Sequence, residues 1–121
     1  MDTTASIGTR FVELCYEGKF EEAGETYWAE DVVSLEPMDG PMARLQGKDA
    51  VRKKGEWWVA NHEIHSTEVH GPYVNGDQFA VHFTIDVTEK ASGQRRQMKE
   101  VGLYTLKAGR IAEERFFYGI G

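Results

Sequence analysis

His82 and Asp86 are the first residues of this chain whose types and setting could carry chemistry. They stand in the segment Phe79 to Thr88, where Phe79, Val81, Phe83, Ile85 and Val87 alternate with Ala80, His82, Thr84, Asp86 and Thr88. Strand side chains alternate with period two, so this segment has one apolar and one polar face. Four residues at ~3.3 Å each separate His82 from Asp86 by about 13 Å, so each must find partners on neighbouring strands. A histidine near carboxylates in a partly dry cavity has a shifted pKa and can shuttle a proton. The plainer account is a hydrogen-bonded polar network. The polar face is either wet outer surface or the lining of a pocket. Pattern alone favours water, because one packed and one solvated face is the common antiparallel arrangement.

Glu100 is the next candidate. It follows Met98 and precedes the apolar segment Val101 to Leu106. A buried carboxylate there needs a partner or a raised pKa. It is either a general acid or base, or one half of a salt bridge with Arg115 or another basic residue. His62-Glu63-Ile64-His65, with His70 beyond, invites a metal reading. It lacks the H-E-x-x-H spacing that sets two histidines one helical turn apart, so no metal is expected. His65 remains a candidate for a pocket entrance. Trp57 and Trp58 are adjacent, so a helix cannot bury both on one stripe. One packs in the core and the other floors or covers a cavity. Arg52-Lys53-Lys54 and Arg95-Arg96 read as solvated faces. The single cysteine, Cys15, lies among Phe11, Leu14 and Tyr16 and reads as a buried structural thiol.

The elements that position these residues fit one domain of 121 residues, 1–121, large enough for one core. Helices come first: 3 to 17 with Ile7, Phe11, Leu14 and Cys15 on one stripe, 20 to 29, and 48 to 61. Thr3 or Thr4 offers an N-cap and Gly18 ends the first helix. A short strand, Val32 to Leu35, and a loop marked by Pro37, Gly40 and Pro41 separate the second helix from the third. Strands follow at about 64–74, 78–88, 95–107 and 111–118, with a hairpin signal at Asn75-Gly76-Asp77. Helices gathered before antiparallel strands predict an α+β fold. The net charge of −6 argues against nucleic acid as a partner. Without a signal-like or membrane-length apolar run, a cytoplasmic location away from membranes is the expectation.

Several stretches resemble a known superfamily. Tyr16-Glu17-Gly18-Lys19-Phe20, then Trp28-Ala29-Glu30-Asp31-Val32, resembles the opening of the nuclear-transport-factor-2-like proteins. Gln46-Gly47-Lys48-Asp49-Ala50-Val51 resembles their G-x-x-A-(I/V) helix start, and Tyr104 to Ile111 their last hairpin. The order and spacing cover nearly the whole chain and look closest to the SnoaL-like group, which includes polyketide cyclases. Ketosteroid isomerase and limonene-epoxide hydrolase share that fold. The resemblance implies a cone-shaped α+β barrel: three N-terminal helices on a strongly curved, mostly antiparallel sheet around a pocket. It also implies a homodimer through the outer face of the sheet.

Alignment with ketosteroid isomerase puts Ala80, His82, Thr84 and Asp86 on the pocket side, with Glu100, Gly102, Tyr104, Ala112, Glu114, Phe116 and Tyr118. The apolar row of Phe79 to Val87 then packs on a partner subunit. A slip of one residue would invert any strand so assigned. Glu36-Pro37 matches that enzyme's carboxylate base followed by proline. Its tyrosine position falls on Phe11, with Tyr16 further along, and its protonated aspartate position falls on Gly102. Both oxyanion donors are thus missing, which argues against steroid isomerisation. The resemblance places no Asp-Arg-Asp set like that of the epoxide hydrolase on particular residues of this sequence.

The expected function is acid–base catalysis without a cofactor on a small apolar or carbonyl-containing molecule, as in isomerases, cyclases or hydrolases. His82, Asp86, Glu100 and Glu36 are the catalytic candidates. Tyr104, Glu114, Phe116, Tyr118, Trp57, Trp58, Thr84, His65 and Tyr16 are the candidates for binding the ligand. The alternative is a ligand-binding or accessory domain of the same fold without turnover.

Overall fold

The computed structural model describes residues 2–119. Three helices, α1 (Thr4–Tyr16), α2 (Phe20–Tyr27) and α3 (Lys48–Asn61), cover one face of a six-stranded sheet. The strands are β1 (Trp28–Leu35), β2 (Arg44–Gln46), β3 (His62–Asn75), β4 (Gln78–Glu89), β5 (Arg95–Lys107) and β6 (Arg110–Phe117). Their order is β2-β1-β6-β5-β4-β3, antiparallel except where β1 runs parallel to β6. The ends do not pair, so the sheet curls without closing. Bulges in β3 after Ile64 and after His70 help it bend. Among the described residues no helix is long and apolar enough to cross a membrane.

Local chemistry accounts for the boundaries. Thr3 caps α1 in a capping box: its hydroxyl accepts from the Ser6 N–H, and Ser6 Oγ accepts from the Thr3 N–H. Ile7, Phe11 and Cys15 form the buried stripe of α1. The hairpin at Asn75 closes with Asn75 opposite Gln78. Two features depart from the expected elements. β1 begins at Trp28 rather than Val32, and β2 lies in the predicted loop, paired in the sheet with β1 alone, with Leu45 packed against the core.

The orientation of β4 is the main correction. Phe79, Val81 and Val87 are fully buried, and Phe83 and Ile85 nearly so, beneath the helices. Helix α1 lies so close that a Cβ on Gly8 would come 3.2 Å from the Phe79 ring. Five large apolar side chains demand a dry face, and the helices provide it within one chain. His82, Thr84 and Asp86 therefore face outward. His82 pairs with His70 and Val101, Thr84 with Glu68 and Lys99, and Asp86 with Ser66 and Gln97. In β5 and β6 the expected faces are found, since Glu100 shares a face with Phe83, and Tyr104 with Phe79 and Glu114. The slip runs through β4; in β6 only Ala112, at the bulge between Ile111 and Glu113, departs from the expected pocket side. The apolar row is not available to a second copy. An interface through the outer face would be built from the polar row with Val101, Leu103 and Phe117.

Candidate functional site

Between the concave face of the sheet and the helices lies a cavity of about 770 Å³. Its walls are mostly aromatic and aliphatic, including Phe20, Val51, Trp58, Phe83, Ile85 and Met98. Trp57, Val59, Met38 and Ile64 form a half-exposed apolar rim. Trp58 is the inner tryptophan, stacked on His62 with 4.3 Å between ring centroids, while Trp57 stands at the mouth.

A polar cluster sits inside these walls. Strand pairing places Glu114 of β6 between Tyr104 of β5 and Ser34 of β1. Glu36 follows β1 and Glu100 lies on β5. Lys54 reaches in from α3: its Nζ donates to Ser34 Oγ at 2.5 Å and to Glu36 Oε1 at 3.0 Å. Both side chains of this ion pair are only 14% exposed, and Nζ lies 5.2 Å from the centre of the Phe116 ring. Tyr118 closes the cluster, its hydroxyl 3.8 Å from Met38 Sδ.

The electrostatics follow from burial. Desolvation pushes Glu100 up to about 7; the charges of Glu36 and Glu114 add to this, while Lys54 opposes it. Glu114 is also pushed up to about 7 by burial, with Lys54 and the nearby Trp28 and Ser34 pulling the other way. Its Oε1 has no hydrogen-bond partner in the structure. Burial raises the Tyr104 and Tyr118 phenols as well, so both remain hydrogen-bond donors. Burial and the Glu114 charge hold the Cys15 thiol near 12, so it packs as a thiol and is no nucleophile.

Two glycines make room for rings. A Cβ on Gly102 would lie 2.8 Å from the Tyr104 hydroxyl. The phenol thus fills the space that a side chain at 102 would take, and its ring stacks on Phe79 at 5.0 Å. A Cβ on Gly24 would come within 2.4 Å of the Trp28 indole. Gly24→Ala is expected to lower stability by about 1–3 kcal/mol through this clash and to push Trp28 into the cavity. Helix propensity alone predicts the opposite sign, about 1 kcal/mol of gain. Thermal unfolding separates the two.

Glu36, Glu100, Tyr104, Glu114, Phe116, Tyr118, Trp57 and Trp58 all line this cavity. His82, Asp86, Thr84, His65 and Tyr16 do not. Asp86 is bound by Arg95 through two hydrogen bonds, which hold its carboxyl below the usual range. His65 Nε2 lies 2.7 Å from Thr88 Oγ1 on the outer face, and Tyr16 is exposed at the end of α1. Alternation along β3 sends His62 inward and His65 outward, so these histidines do not converge. Among the described residues no group of three His, Cys, Asp or Glu side chains is arranged to hold a metal.

Lys54, Ser34 and Trp28 are the site residues that sequence reasoning missed. For Lys54 a signal exists: Val51, Lys54, Gly55 and Trp58 follow helical spacing, and all four line the cavity.

Comparison with known proteins supplies the family. The sequence matches the SnoaL-like domain over residues 2–118. A search of curated proteins finds no match. Among solved structures, a candidate SnoaL-like polyketide cyclase [carbohydrate phosphatase] from Mesorhizobium loti is 55% identical, with a TM-score of 0.94 over 97% of this chain and 100% of that one. A candidate isomerase from Bacillus subtilis is 16% identical, with a TM-score of 0.74 over 98% of this chain and 90% of its own. A ketosteroid-isomerase-like protein from Catenulispora acidiphila, solved with trimethylamine, is 18% identical, with a TM-score of 0.75 over 98% and 88%. The last two show the fold alone. A family match over nearly the full length, and a relative that shares more than half its residues, establish that this chain belongs to the SnoaL-like domain family.

Proposed function

We propose that this chain binds a small apolar or carbonyl-containing molecule in the cavity and transforms it by acid–base chemistry of isomerase, cyclase or hydrolase type. The observation that supports this reading is a pair of carboxyls with unequal surroundings in one apolar cavity. Glu36 is held by Lys54, whereas Glu100 is pushed up to about 7 by burial and by the charge of Glu36. Two carboxyls whose environments differ in this way divide into a base and an acid. Glu36 takes a proton from the bound molecule and Glu100, still protonated near neutrality, returns one. Tyr104 donates a hydrogen bond to the oxygen on which charge develops. His82 and Asp86 have no part, because they face away from the cavity.

Once turnover is found in a substrate screen, Glu36→Gln and Glu100→Gln are each expected to lower kcat by about 10²–10⁴-fold. His82→Ala and Asp86→Ala should stay within about twofold of the parent, as surface changes do. The parent rate should fall above pH 7, where Glu100 loses its proton. Unchanged rates in both glutamine variants would remove the proposed acid and base. A bound ligand recovered unaltered from pH 5 to 9 would favour binding without turnover.

A further inference from the structure

The acid–base pair leaves one buried carboxyl of the cavity without a task. Glu114 is 4% exposed, lines the cavity, and carries an Oε1 with no hydrogen-bond partner. A buried polar atom left unpaired costs stability in either protonation state. The neighbouring elements offer it no free cation. Cys15 faces it from α1 and Tyr104 from β5, while β4 contributes Phe83, Ile85 and, at its last residue, the carboxylate Glu89, which is no cation. Ser34 and Glu36, at and after β1, already accept from Lys54, the lysine that α3 sends in. Glu100 and Tyr118 complete the lining on this side.

The imbalance extends to the whole cavity. Six carboxyl-bearing residues line it against three lysines or arginines. Arg52 is occupied at the rim by Asp49, Glu25 and Glu56. The third, Arg96, is exposed at the mouth. A cavity lined with surplus negative charge concentrates cations. Trp28 borders Glu114 and Phe116 already receives a lysine ammonium on its face. A carboxylate beside aromatic faces suits an ammonium group, which gains both an ion pair and cation–π attraction.

We propose that the ligand of this cavity carries a protonated amine and that its ammonium group binds at Glu114, with its apolar part along the aromatic walls. This rests on the reading of the cavity as a small-molecule site and not on its catalysis. An amine stays charged through neutral pH, whereas Glu114 is half protonated near 7. Binding must therefore expel the Glu114 proton and strengthen as pH rises.

Three probes of one shape test this by calorimetry: benzylamine, benzyl alcohol and benzoate. Benzylamine is expected to bind at least about tenfold tighter than the other two at pH 8, and about tenfold tighter at pH 8 than at pH 6, with proton release. Glu114→Gln should erase that preference and leave benzyl alcohol binding in place. Equal or tighter binding of benzyl alcohol or benzoate, or a preference that survives Glu114→Gln, overturns the amine assignment while the cavity still binds small molecules. If none of the three binds, the amine assignment and the small-molecule site both fall.

Discussion

Between pH 5 and pH 8, Glu114→Gln is expected to lose about 2 kcal/mol less stability than the parent protein. The sign follows from the carboxyl's two states. Unfolded, Glu114 ionises near the ordinary 4.5, and folded it holds its proton up to about 7. The folded form therefore binds more protons across this window. Its stabilising contribution is fully present below the unfolded value and is lost as pH rises through the folded one. A carboxyl displaced this far corresponds to roughly 3 kcal/mol at completion, part of which is already lost by pH 5. Glutamine has no proton to lose, so the variant's stability curve is flatter. Glu100 still titrates in the variant, which leaves some decline. Removing the Glu114 charge also relieves Glu100, which acts in the same direction. Urea unfolding at several pH values reads the difference, and parallel curves for parent and variant would contradict the burial of Glu114 as a charged group.

The sequence showed which residues could do chemistry more readily than which way they face. Element types were legible because periodicity, the Thr3 cap and the hairpin turn act locally. β2 was not, because Arg44–Gln46 carries no alternation of its own and exists through its pairing with β1. The parallel β1–β6 contact joins the two ends of the chain, and no local signal announces it. For β4, pattern alone pointed the correct way: five large apolar side chains seek the dry side. Resemblance to a distant relative reversed this, and the register exposes the conflict. Glu100 pairs with Phe83, so both cannot be turned inward unless the apolar row is inward too.

The candidate site was half legible for the same reason. Glu100, Tyr104 and Glu114 were placed in the cavity because their strands aligned without a slip at those positions, and Glu36, just after β1, because Glu36-Pro37 matched a carboxylate base followed by proline. Lys54 was hidden in Arg52-Lys53-Lys54, where composition reads as a solvated run. Only helical spacing from Val51 to Trp58 separates it from its neighbours: Arg52 lies on the rim and Lys53 pairs with Asp49 at the surface. A long lysine stem covers apolar surface well, which lets such a residue occupy an inward stripe if its ammonium finds partners.

That partnership yields the largest expected effect. Lys54→Met keeps the stem and removes the charge, and at pH 8 it is expected to cost about 3 kcal/mol. The variant leaves Glu36, 14% exposed, without its cation, and deprives Ser34 of its donor. It also removes the charge that holds Glu100 and Glu114 down, so both should ionise at still higher pH. If Lys54 lay on a solvated face, the change would fall within about 0.5 kcal/mol. Chemical unfolding distinguishes the two cases, and pH supplies a second check. The loss should shrink toward pH 5, where Glu100 and Glu114 are protonated and need no cation. Adding Glu36→Gln to Lys54→Met should recover much of the loss, with a coupling of about 1–3 kcal/mol in a double-mutant cycle. Additive losses would mean that the two side chains, though 3.0 Å apart, do not depend on each other.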